Sequence, residues 1–333
     1  MNVPADAPHT AEFDPSGRRL RLLASLPLAL HALGGLLPGP LAWGVNHHAY
    51  APWSPPLGIA WALLLIALIW SPAGARIGAW LVGRVEPALL GRPLVASLLV
   101  PLAGLVVFWL VRARTPLLGD GMLLSQLLAQ GDVQHGFDFM AYHVHARLAQ
   151  LFGIETPPQA RTLLAITSTV TGGAYLAAVG WAARALARRP GEGVLLWGLL
   201  VIAAPVQLFL GYAECYAQLA VCLVLFGASL LRYLDGRGTL LAASAWFAGA
   251  LFWHLNALFV APLLLAAALR APAERGGWAQ RLLTIAWPSV IALGLGWSLL
   301  AAAGLDADEV VAAFVEPQRG RRLLNALTGP RGL

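Results

Sequence analysis

Lysine is absent from this sequence: every one of the 22 basic side chains is an arginine. Charge of either sign is scarce, at 11% of 333 residues, where soluble domains average roughly a quarter. That scarcity excludes an ordinary water-soluble globular protein. The 59% hydrophobic content excludes a disordered one, which needs low hydrophobicity and high charge. Only two cysteines occur, Cys215 and Cys222, so there is no disulfide framework. On one helix, seven residues at about 1.5 Å rise would hold their Cα atoms roughly 10 Å apart, too far to bridge, and both read as packing residues.

Chemical signatures are also missing. There is no metal motif, no GxxxxGK[ST] and no GxGxxG, and Gly119-Asp120-Gly121 is not a phosphate loop. His143 and His145 stand two apart and diverge on a helix, and His47–His48 are adjacent. Neither pair suits a metal, and all four read as interfacial or solvated histidines.

What is present is apolar sequence in long runs, with a mean hydropathy of +0.70. The fold class expected is all-α: a polytopic integral membrane protein of about nine transmembrane helices. The spans fall near 22–41, 57–75, 94–111, 162–183, 193–210, 213–231, 239–254, 256–270 and 283–303. Residues 1–17 form a polar, proline-bearing tail, 18–303 the helical domain and 304–333 an outer C-terminal tail. Arg18, Arg19 and Arg21 precede the first run as in an uncleaved signal anchor.

Arginine positions set the orientation. With the N-terminus in the cytoplasm, the inner segments hold Arg18, Arg19, Arg21, Arg76, Arg84, Arg92, Arg184, Arg188, Arg189, Arg232, Arg237, Arg270, Arg275 and Arg281, fourteen of the 22. The outer connections near 42–56, 211–216 and 254–256 hold none, which is the positive-inside pattern. The net charge of +6 is thus spent on topology, and no nucleic-acid partner is expected. Residues 239–270 as one helix would reach about 48 Å, against a hydrocarbon core of about 30 Å. Two short spans broken near Trp253–Asn256 are expected instead, bordering a polar recess.

The first large outer loop, 112–161, carries two amphipathic stretches. Leu123, Leu124, Leu127 and Leu128 oppose Ser125, Gln126 and Gln130; Phe137, Met140, Val144, Leu148 and Leu151 oppose His143, His145, Arg147 and Gln150. Both are expected to lie in the membrane surface. Asp120 sits just before the first stretch, as an N-cap or a functional acid. Glu214 sits in an outer turn. His254 and Asn256 sit at the next outer break, where helix capping is the plainer role. Arg112, Arg114 and Arg161 border the same loop against the positive-inside trend, which a lipid phosphate or headgroup snorkelling explains.

Thr115-Pro-Leu-Leu-Gly-Asp-Gly121, Leu210-Gly-Tyr-Ala-Glu-Cys-Tyr216 and Phe252-Trp-His-Leu-Asn256 together resemble the GT-C superfamily of membrane glycosyltransferases. The resemblance covers about 112–262 and rests on short motifs. It implies sugar transfer from a polyprenyl-phosphate-linked donor to an acceptor hydroxyl at the extracytoplasmic face of a bacterial cytoplasmic membrane. It places Asp120 as the catalytic base and Arg112 or Arg114 on the donor phosphate. Glu214, His254 and Asn256 then belong to the substrate-binding set, with Glu214 and His254 orienting the acceptor or a bound divalent cation. Two departures stand out: Asp120 is followed by Gly121 where many members pair two acids, and many members are longer. A divergent member, a truncated one, or one half of a pair with a membrane partner subunit fits those departures. The rival class is a non-enzymatic transporter, flippase-like protein or assembly subunit handling lipid-linked intermediates. Its expected marks, repeat symmetry and deep intramembrane charge, are not found in the sequence.

Overall fold

The computed structural model describes residues 18–34, 54–112, 121–131, 139–202, 209, 215–270 and 277–302. Among them the structure is entirely helical, with no strand. Three helices, Pro157–Leu186, Ala217–Leu234 and Trp278–Ala302, are long and apolar enough to cross a membrane, or four if one sharply bent pair counts as a single span. Shorter apolar helices cover 95–110, 192–202, 240–253 and 255–270.

The chain divides at Arg84 into two compact units. In the first, α1 (Arg18–Gly34) packs against α2 (Ser54–Trp70), and Trp70 Nε1 donates to Ser25 Oγ at 3.0 Å. Sequence reading places 76–92 in a connecting segment, but α3 (Pro72–Trp80) begins almost at once, bent by 82° from α2. Ser71 makes the corner: its hydroxyl donates to Leu68 O at 2.9 Å and accepts from Gly74 N at 3.1 Å, and Pro72 presets the first helical position. A side chain at Gly74 would collide with the Leu68 carbonyl. Arginines at 76 and 84 masked this helix, because one apolar face is enough to form it.

The second unit is organised by α8 (Pro157–Leu186), thirty residues long and buried over much of its length. Gln159 Oε1 accepts from Thr156 N at 3.1 Å and Thr156 Oγ1 at 2.9 Å, closing its first turn, while Pro157 starts it. Small residues let neighbours approach closely. A Cβ on Gly172 would meet Phe108 and Phe209 at 2.7 Å, and one on Gly173 would meet Leu105 at 2.8 Å. Against these glycines lies α5 (Val100–Leu110), preceded by a wide π-type turn at Val95–Leu99; Tyr175 and Phe209 complete that core at 4.6 Å between ring centroids.

Also packed on α8 are α6 (Gly121–Ala129), α7 (Phe139–Leu151), α9 (Glu192–Ile202) and α10 (Ala217–Leu234), the last two sharing the core of Phe108 and Tyr175. A further core joins α10, α11 (Leu240–Trp253) and α12 (Ala261–Arg270) through Phe226, Phe247, Leu251 and Leu264, and α13 (Trp278–Ala302) packs on α11. The expected break in 239–270 is present: α11 ends at Trp253, and a 3-10 segment, Leu255–Val260, leads into α12.

Two ties fasten helix ends. Glu86, opening the short α4 (Glu86–Leu89), accepts from Gly191 N at 2.6 Å, and Gly191 needs its φ of +93° to turn α8 into α9. Asp235, capping α10, pairs with Arg188 beyond α8 and with Arg237 at 2.9 Å.

Candidate functional site

His254 occupies the break after α11 in extended conformation (φ −157°, ψ 130°) and is fully buried. Its backbone N–H donates to Ala250 O at 2.9 Å, finishing α11. Its Nδ1 accepts from Asn256 N at 3.1 Å, starting the 3-10 turn. With Nδ1 as the acceptor, the ring's hydrogen is on Nε2. The imidazole stacks on Tyr216, the residue before α10, with centroids 4.7 Å apart and planes at 25°. The capping role expected for His254 is thus present, while Asn256 is exposed and contributes its backbone to that cap.

Cys215, adjacent to Tyr216, is fully buried in a core with Leu124 and Leu128 of α6, Tyr142 and Ala146 of α7, and Leu163 and Leu164 of α8, and Trp253 packs against the same core. Residues that follow or precede three separate connections are thus near one core. Gly121, the residue after Asp120, opens α6 and is buried; Cys215 follows Glu214; Trp253 precedes His254. Asp120, Arg114 and Glu214 themselves lie outside the described residues.

Arg112 folds back onto α5. Its Nη1 donates to Trp109 O at 2.7 Å, and its guanidinium lies 3.8 Å from the Trp109 ring centroid. This caps the C-terminal end of α5, where a cation opposes the helix dipole favourably.

The two histidines of α7 correct the sequence reading. His143 and His145 are buried, at 5% and 1% exposure, not interfacial or solvated. The core face of α7 runs through Tyr142, His145, Ala146 and Ala149, while Leu151 is 75% exposed. The amphipathic pattern had pointed to Met140, Val144, Leu148 and Leu151. Met140 is buried and Leu148 packs against the core as that pattern has it, but the buried side is wider and Leu151 is left out: α6, α8, α11 and α13 all touch α7, so it is enclosed rather than laid on a surface, and small residues join the buried side. His145 is accommodated by hydrogen bonds. Nδ1–H donates to Ala141 O at 2.6 Å, and Nε2 meets Thr167 Oγ1 of α8 at 2.8 Å. Sequence reasoning missed this link; its one signal was a histidine set between Val144 and Ala146. Likewise Ser125, taken for the polar side of α6, is buried with its hydroxyl on Gly121 O at 2.6 Å.

Titration at the opposite helix ends follows from geometry. Arg188, hydrogen-bonded to Asp235, is raised above the usual arginine value. Asp235 is held below the usual carboxylate range by Arg188 and then Arg237. Glu192 is held low by the Arg188 backbone N–H at 2.7 Å, with Arg189 N adding to it.

No group of three or more His, Cys, Asp or Glu suited to a metal occurs among the described residues. No protein family, curated protein or solved structure matches this chain.

Proposed function

We propose that the chain is a polytopic protein of the bacterial cytoplasmic membrane with about nine spans, an inside N-terminus and a glycosyl-transfer site at its outer end. The donor is a polyprenyl-phosphate-linked sugar and the acceptor a hydroxyl. Asp120 takes the acceptor proton as that oxygen attacks the anomeric carbon. The bond from that carbon to the donor phosphate breaks, and Arg112 or Arg114 neutralises the departing phosphate. Glu214 and His254 orient the acceptor or a bound divalent cation, and Asn256 belongs to the same substrate-binding set.

The observation supporting this reading is the shared packing of Gly121's helix, Cys215 and Trp253, the sequence neighbours of Asp120, Glu214 and His254. These neighbours come from parts of the chain far apart in sequence and share one core. Membranes containing the Asp120→Asn variant, given a labelled polyprenyl-phosphate sugar, should lose transfer by about 10²-fold or more with the protein still present at normal abundance. Retained transfer rejects the assignment.

A second reading, a non-enzymatic transporter, flippase-like protein or assembly subunit, draws on the two helix interruptions, the 82° corner at Ser71 and the break at His254. Broken helices line substrate paths in transporters. That reading expects lipid-linked substrate movement in vesicles with no new glycosidic bond.

A further inference from the structure

A groove of about 370 Å³ lies between α5 and α8, walled by Leu105, Val106, Trp109, Ile166, Thr169 and Val170. Val106 and Val170 are 59% and 58% exposed, so the groove opens sideways. For membrane-embedded helices that opening faces acyl chains, the one surrounding medium that wets such walls.

Two polar features depart from this hydrocarbon lining. One is Thr169. The hydroxyls of Thr162, Ser168 and Thr171 donate to carbonyls one turn back on α8, at 3.0, 3.3 and 2.8 Å. Thr169, 5% exposed, does not: its Oγ1 is buried with no hydrogen-bond partner among the described residues. A buried hydroxyl without a partner is unfavourable, and Thr169 is itself one of the residues that line the groove. The other is Arg112, stacked over the groove residue Trp109. One of its five N–H donors serves Trp109 O, and the rest of the fork suits a phosphate.

We propose that this groove binds one bilayer glycerophospholipid. Its phosphate sits on Arg112, an ester carbonyl accepts from the Thr169 hydroxyl, and an acyl chain runs along Leu105, Val106, Ile166 and Val170. The ester selects a glycerophospholipid over a polyprenyl phosphate, whose hydrocarbon starts directly at the phosphate oxygen and offers Thr169 no acceptor. The inference rests on the membrane reading of α5 and α8; with Arg112 occupied by this lipid, the donor phosphate of the transfer reaction falls to Arg114.

Native mass spectrometry of the full chain, released from nanodiscs of dioleoyl phosphatidylglycerol, counts the retained lipid. Wild type should hold one ester-linked lipid and retain the ether-linked analogue about tenfold less well. Thr169→Val should erase that discrimination, and Arg112→Gln should lower retention of both lipids about tenfold. Equal retention of ester and ether lipids by wild type overturns the proposal without requiring any variant to fold. Displacement by equimolar polyprenyl phosphate overturns it as well, and assigns the groove to a prenyl chain. Loss of transfer activity in Asp120→Asn bears on the catalytic reading alone and leaves lipid retention unchanged.

Discussion

Replacing His254 separates its structural role from any part in chemistry. Alanine removes three things at once. The Nδ1 acceptor for Asn256 N is a helix-start cap, worth about 1 kcal/mol. The ring stack on Tyr216 adds about 0.5–1.5 kcal/mol. The emptied volume at a fully buried position adds about another 1 kcal/mol. His254→Ala should therefore destabilise the protein by about 2.5–3.5 kcal/mol on those figures. His254→Asn keeps an oxygen acceptor and should recover the capping share, about 1 kcal/mol. His254→Phe keeps a ring on Tyr216 and recovers the stacking share. Reversible unfolding in mixed detergent, followed by circular dichroism, measures all three. Asn256→Ala, an exposed side chain whose backbone makes the bond, serves as the control, with a change of about 0.5 kcal/mol or less. If His254→Ala unfolds at the same detergent fraction as Asn256→Ala, the capping and stacking account is wrong.

Glycine packing gives a second test. Gly172→Ala forces a Cβ to within 2.7 Å of Phe108 and Phe209 and should destabilise by about 1–2 kcal/mol after its helix-propensity gain. Gly227→Ala on α10, with nothing within 4 Å of its Cβ position, should instead be neutral or stabilising by up to about 1 kcal/mol; thermal melts compare the two. Asp235 and Glu192 have lowered folded-state values, so their stabilising contribution is full above the ordinary carboxylate range. It is lost as pH falls through the lowered values. Acid titration of stability should flatten in Asp235→Asn below the ordinary carboxylate range, and an unchanged profile counts against the Arg188 pairing. Topology is testable by labelling: an engineered cysteine at the exposed Glu155 should react with an impermeant maleimide from outside intact cells. One at Arg189 should react only after permeabilisation. The native Cys215 and Cys222 are buried and should stay unlabelled in both conditions.

Helices were the legible part of the sequence. Runs such as 239–254 and 256–270 needed only apolar length and arginine spacing to be located, and the break between them followed from bilayer thickness against helix rise. What resisted was which side of a helix faces protein. For α7 the larger hydrophobic residues marked one face, but enclosure by four helices placed Ala141, Ala146, Ala149 and two histidines inside and left Leu151 out. In an apolar environment, hydrophobicity no longer separates core from surface, and small size together with internal hydrogen bonding does. The candidate site was read as a convergence of outer connections; Asp120 and Glu214 lie outside the described residues, and what the structure shows is Cys215 buried in a core against which Trp253 packs. The link from His145 to Thr167 spans 22 residues and two helices, so no local pattern announces it.

The bond between Glu86 and the turn at Gly191 joins positions 105 residues apart. During synthesis the carboxylate leaves the ribosome long before its partner amide, since folding proceeds from the N-terminal side. Glu86 is then in place first, an acceptor ready for the turn between α8 and α9. Gly193, where an added Cβ would come within 2.8 Å of Glu86 Oε1, keeps that berth clear. Assembly order, as much as final stability, is written into this one contact.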